Sequence, residues 1–189
     1  MICVMKQIVL IRHAKVDLDS SRPINASFLK EWVDAYGVAN IYVHSLPTQE
    51  TINVIKNSDV LVTSSLCRTI DSAKVLDVDI YESSTIFNEA QIPNVNIPFL
   101  KMKPKSWMVV LRVLLLFGLG KKDASLKASK LQAEEAAERL LELSNEFESV
   151  VLVGHGGMNW LIRKVLMKEG WHLEDKPSNK NWGMTILSY

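Results

Sequence analysis

Lys6-Gln7-Ile8-Val9-Leu10-Ile11 is an apolar run of strand length that ends abruptly on Arg12-His13. A run apolar on both faces reads as a strand buried in a parallel sheet. Asp59-Val60-Leu61-Val62-Thr63 and Ser149-Val150-Val151-Leu152-Val153 repeat the pattern, and Met184-Thr185-Ile186-Leu187 reads as a fourth strand at the sheet edge. Helical patterns lie between them. Ala26 to Tyr36 is stopped by Gly37, and Pro47 to Lys56 has Ser45 as a candidate N-cap. Leu66 to Leu76 and Met158 to Met167 each follow a strand directly. Ser125 to Phe147 carries the apolar stripe Ala133, Ala136, Ala137, Leu140, Leu141 and Leu143. Strands alternating with helices predict an α/β fold, a mainly parallel sheet with helices on both faces, in one domain over residues 1–189. The stretch 83–122, with Pro93, Pro98 and Pro104, interrupts the alternation and reads as a cap-like insertion.

The 189 residues are 48% hydrophobic, enough to bury a core, and the net charge of +1 gives no global signal for nucleic acid or an anionic membrane. Two cysteines, Cys3 and Cys67, are too few for a disulfide scaffold and read as small buried hydrophobes. Met1 to Leu10 is too short for a signal peptide core and lacks a small-residue cleavage site, so the chain is expected to be cytoplasmic. Trp107 to Leu119 is strongly apolar but short of a span, and it is broken by Arg112. It reads as a buried or interfacial helix with no membrane span. The basic stretch 101–130 around it reads first as a cap helix at a substrate entrance, and second as a helix that docks on a membrane surface or a partner. A homodimer would cover the outer side of the Trp107 helix.

In an open α/β sheet, ligands bind beyond the carboxyl ends of the strands. Three strand ends here carry unusual side chains: Arg12-His13, Ser64-Ser65 followed by Arg68, and Gly154-His155-Gly156-Gly157 opening a helix. Arginine presents a rigid fork of donors matched to phosphate oxygens, and a helix N-terminus adds free N–H groups. The set describes an oxyanion pocket suited to phosphate. A neutral histidine inside it can attack phosphorus and carry the phosphoryl group covalently. The arginines disfavour its imidazolium and stabilise charge on the group in transfer. Glu89 is the first candidate to protonate the leaving oxygen, with Glu82 as its rival.

Leu10-Ile11-Arg12-His13-Ala14, Thr63-Ser64-Ser65-Leu66-Cys67-Arg68-Thr69-Ile70-Asp71-Ser72-Ala73, Phe87-Asn88-Glu89 and Val153-Gly154-His155-Gly156-Gly157 together resemble the motifs of the histidine phosphatase (phosphoglycerate mutase-like) superfamily, in order, from Lys6 to about Met167. The resemblance implies that His13 is the nucleophile, that Arg12, Arg68 and His155 hold the phosphoryl group, and that Glu89 is the acid. It implies no cofactor and no metal. Arg22 and Lys15 are further candidates for substrate contact. Ala14 stands where the family commonly has glycine, and Lys15-Val16-Asp17-Leu18-Asp19 departs from the family's usual substrate contacts, which speaks against a mutase. The expected reaction is hydrolysis of a phosphomonoester, or of another labile phosphoryl donor, carried by a small molecule or a phosphoprotein. A phosphoglycerate-type mutase and a non-catalytic phosphate-binding regulatory module are the alternatives.

Overall fold

The computed structural model describes residues 5–90, 99–116 and 124–189. In chain order the main elements are β1 (Gln7–Arg12), β2 (Ile24–Asn25), α1 (Leu29–Val38), α2 (Gln49–Lys56), β3 (Val60–Ser64), α3 (Cys67–Val75) and β4 (Glu82–Ser84). There follow β5 (Lys101–Met102), α4 (Pro104–Leu116), α5 (Ala124–Glu146), β6 (Ser149–Gly154), α6 (Gly156–Lys168), β7 (His172–Leu173) and β8 (Met184–Ser188).

The sheet runs β4-β3-β6-β1-β8-β7. Its first four strands are parallel, and β8 and β7 pair antiparallel. This is the mainly parallel sheet the apolar runs predict. Side chains alternate between its faces with period two. Ile8, Leu10, Val62, Val150 and Leu152 pack against Ala133, Ala136, Ala137 and Leu140 of α5 and Met158 and Ile162 of α6. Val9, Ile11, Leu61, Val151 and Val153 turn the other way, onto Ile55 of α2 and Ala73 and Leu76 around α3. Every strand residue in these two sets is buried, which is why the runs show no polar alternation.

Several local expectations need correction. The Met184–Leu187 strand is not the edge: β7 pairs with its far side, while the three-residue β4 forms the opposite edge. Thr48, not Ser45, caps α2, its side chain accepting from Thr51 N–H. Ser45 instead uses its hydroxyl to accept from the Lys15 amide. Gly37 lies within α1, which runs on to Val38. Cys67 is exposed, because the first turn of α3 turns that position to solvent; Cys3 lies outside the described residues.

The stretch 83–122 begins inside the sheet, since Ser83 and Ser84 pair with Thr63 and Ser64. Its middle holds β5, paired with β2, and α4, whose Trp107 and Leu111 are buried with Leu29 of α1. The Trp107 indole N–H donates to Ile24 O at 2.9 Å, so this aromatic is buried with its polar edge satisfied. Residues 91–98 and 117–122 of the stretch lie outside the described residues. No described helix is long and apolar enough to cross a membrane.

Candidate active site

Register places the first two site residues together. Arg12 of β1 is the partner of Gly154 of β6, so the next residues, His13 and His155, leave neighbouring strands side by side. The His13 amide continues the ladder to Gly154 O at 3.0 Å. The two imidazoles meet edge to face with centroids 5.2 Å apart. Both rings are buried.

His13 Nδ1 lies 2.6 Å from Ala14 O. A carbonyl only accepts, so Nδ1 carries the hydrogen and the neutral ring presents its lone pair at Nε2. Burial pushes the His13 pKa well below the ordinary histidine value, and His155, Arg68 and Arg12 push it further, against the opposing hydrogen bond to Ala14. The site therefore holds a neutral, oriented imidazole. Ala14 is buried and does not adopt positive φ, so the absent glycine costs nothing there.

Arg68 comes from the first turn of α3 and is buried. Its Nε and Nη1 make no hydrogen bond among the described residues. The guanidinium stands over the Tyr36 ring at 5.2 Å, and Tyr36 meets His13 edge-on at 6.4 Å. Burial lowers the Arg68 pKa, while Tyr36 and Glu89 raise it. The backbone of Arg68 is tied to that of the nucleophile: Ser72 Oγ donates to Arg68 O at 2.5 Å and accepts from Ala14 N–H at 2.9 Å. Arg12 reaches Asn179 O through Nη1 at 2.7 Å, and its side chain lies against Gly156, where a Cβ would come within 3.5 Å of Arg12 Nε. The Arg12 side chain thus packs at ordinary contact distance on the N-terminus of α6.

Glu89 follows a short 3-10 turn, Thr85–Phe87, and its Oε1 accepts from Met158 N–H at 3.0 Å and Ala90 N–H at 3.1 Å. It thereby caps α6 from another part of the chain and sits in electrostatic reach of Arg68. Glu82 is occupied elsewhere: Arg139 of α5 grips its Oε2 through Nε at 2.9 Å and Nη2 at 2.8 Å. Arg22 has a side chain 90% exposed and a loose contact with Asp19 at 4.0 Å. Lys15 is exposed and lies over the Tyr42 ring at 4.7 Å. His13, His155, Arg68, Arg12 and Glu89 are brought together; Arg22 and Lys15 take their contacts at the surface. Among the described residues no group of three or more His, Cys, Asp or Glu is disposed to hold a metal ion.

Two supports escaped the sequence reading. Ser64 Oγ lies 2.7 Å from His155 Nε2 and 2.8 Å from Thr69 Oγ1, and it accepts from Leu66 N–H. Its only advance sign was its place at a strand end. The second support is the loop 178–183. Asn181 Nδ2 donates to His13 O at 2.9 Å, Trp182 N–H to Arg12 O at 2.9 Å, and Arg12 N–H to Gly183 O at 3.1 Å. Trp182 holds φ +61°, in the left-handed region, with its indole N–H on Ser45 O at 2.8 Å. A tryptophan kept in that conformation is strained, and here the strain sits on the clamp around the candidate nucleophile.

No family model matches the sequence, and no curated protein sequence matches it. Solved structures do resemble the fold. One is a mutant phosphoserine phosphatase from Entamoeba histolytica in complex with phosphoserine, 15% identical, covering 96% of this chain and 89% of that chain with a TM-score of 0.54. Another is a mycobacterial glucosyl-3-phosphoglycerate phosphatase, 13% identical, covering 97% of this chain and 90% of that chain with a TM-score of 0.56. With its parallel β4-β3-β6-β1 sheet, its antiparallel β8 and helices on both faces, the chain has the phosphoglycerate mutase-like α/β fold of these phosphatases.

Proposed function

We propose that the chain is a cytoplasmic, metal-independent histidine phosphatase that hydrolyses a phosphomonoester, or another labile phosphoryl donor, through phosphohistidine. The observation that carries this reading is the state of His13: buried and neutral, with Nδ1–H fixed on Ala14 O and Nε2 left as the nucleophilic atom. Nε2 attacks phosphorus, the bond from phosphorus to the ester oxygen breaks, and Glu89 gives that oxygen a proton. Water, deprotonated by Glu89, then displaces phosphate from Nε2. Arg12, Arg68 and His155 take up the charge of the phosphoryl oxygens. The buried Arg68 Nε and Nη1 are suited to this because no described residue accepts from them. The phosphatases that share the fold support the same reaction class.

The substrate class is a phosphorylated small molecule or a phosphoprotein. Within the stretch 83–122, whose first residues belong to the sheet, α4 serves as a cap over the pocket. Support comes from α4, which packs through Trp107 and Leu111 on Leu29 of α1, the helix that carries Tyr36 to His13.

The test is hydrolysis of an aryl phosphate in excess chelator by wild type and His13→Ala. Wild-type turnover that survives the chelator, with a loss of roughly 10³-fold or more in the variant, is the expected result. Full activity in His13→Ala refutes the nucleophile. Loss of wild-type activity in chelator refutes metal independence.

A further inference from the structure

Residues 90–122 contain six basic and no acidic side chains, in a chain of net charge +1, so the remainder carries a net −5. In the described part of this stretch Lys101, Lys103 and Lys105 are all exposed. Large apolar side chains are exposed among them: Phe99 at 96%, Val109 at 59% and Val113 at 44%. α4 is therefore apolar on two sides. Its inner side is occupied by Trp107 and Leu111 against α1. Lys105, Val109 and Val113 recur at i, i+4 and share the outer side. A surface helix of an ordinary domain places charge there.

We propose that the surface formed by Phe99–Lys105 and the outer side of α4 docks on an anionic lipid bilayer. Phe99, Val109 and Val113 enter the headgroup boundary, and Lys101, Lys103 and Lys105 meet the lipid phosphates. Apolar contact and positive charge act together there, and neither alternative occupant uses both. Nucleic acid would match the charge, but among the described side chains of this surface Phe99 alone could stack on a base, and Val109 and Val113 would stay uncovered. A second copy would match the apolar stripe, but the stretch 90–122 holds no acidic side chain to face the lysines across a self-complementary interface. The proposal is independent of the phosphatase chemistry.

The test is co-sedimentation of the full chain with phosphatidylcholine vesicles, with and without about 30 mol% phosphatidylglycerol. Binding to the anionic vesicles is expected, at least tenfold weaker on phosphatidylcholine alone and at about 1 M salt. The triple variant Lys101→Glu/Lys103→Glu/Lys105→Glu should bind roughly a hundredfold more weakly, and Val109→Ser/Val113→Ser should also lose affinity. Both should keep the wild-type Tm; because they alter different parts of the surface, a folding defect in one leaves the other informative. Protein that stays in the supernatant overturns the proposal, as does equal binding to neutral vesicles that ignores the lysines. A dimer that Val109→Ser/Val113→Ser dissociates, without vesicle binding, assigns the face to a second copy. Tighter binding to an oligonucleotide than to the vesicles assigns it to nucleic acid.

Discussion

The His13 and His155 rings stand 5.2 Å apart because Arg12 and Gly154 are register partners at the ends of adjacent parallel strands. Slippage of one strand by one residue would put the two histidines on opposite faces of the sheet. The candidate pocket is thus a product of register, and register here is fixed by two buried faces.

Gly154 is a packing requirement. A Cβ there would lie 2.5 Å from Asn159 Oδ1, and Asn159 is held by its donation to Ile11 O at 3.1 Å. Gly154→Ala should therefore destabilise the fold by about 1–3 kcal/mol. Thermal unfolding measures the cost. In a cycle with Asn159→Ala the double variant should cost less than the two single changes together, and simple additivity would sink this explanation.

The pH dependence of stability follows from His13. Its folded pKa is depressed below about 6.5, so on acidification the unfolded chain takes up this proton before the folded chain does. The His13 contribution is fully present above about pH 6.5 and is lost as pH falls through the folded value. Denaturant titrations across this window should show stability falling with acid in wild type, and less steeply in His13→Asn. Identical slopes would mean that His13 titrates normally.

Asn181 should act through His13. Removing its N–H leaves His13 O without that donor, a loss of about 1 kcal/mol in positioning. Asn181→Ala should lower kcat about tenfold with KM little changed. Asn181→Asp, of the same shape without the donor, should fare no better. A variant that raises KM alone would move Asn181 from positioning to substrate binding.

Ser64 orients the second histidine. Ser64→Ala removes the hydroxyl 2.7 Å from His155 Nε2 and should lower kcat/KM about tenfold. Thr69→Val, one bond further along the relay, should have a smaller effect in the same direction. Unchanged kcat/KM in Ser64→Ala would show that packing alone holds the ring.

The parts of this architecture legible in the sequence are those made by local pattern. Runs such as Ile8–Ile11 and Val150–Val153 declare strands buried on both faces, and those strands carry Arg12, His13 and His155 to one edge. Arg68 follows from its place in the first turn after β3. The parts that stayed hidden depend on long separations. Asn181 meets His13 from 168 residues away, through a loop with no periodic signal. Glu89 leads Glu82 in the sequence by its motif alone; in space Arg139 of α5 grips Glu82, while Glu89 reaches the N-terminus of α6. Tyr36 reads in the sequence as one aromatic on a helix; it becomes part of the site because α1 lies against α3.

The central claim is that Nε2 of His13 carries the phosphoryl group, and the most direct measurement is rapid quench of wild type and His13→Ala during turnover of a phosphomonoester, followed by mass spectrometry under alkaline conditions. The account predicts an acid-labile phosphoryl adduct on the peptide containing His13, formed no more slowly than turnover and absent from the variant. Turnover without any adduct on His13, or an adduct on a different residue, would contradict it.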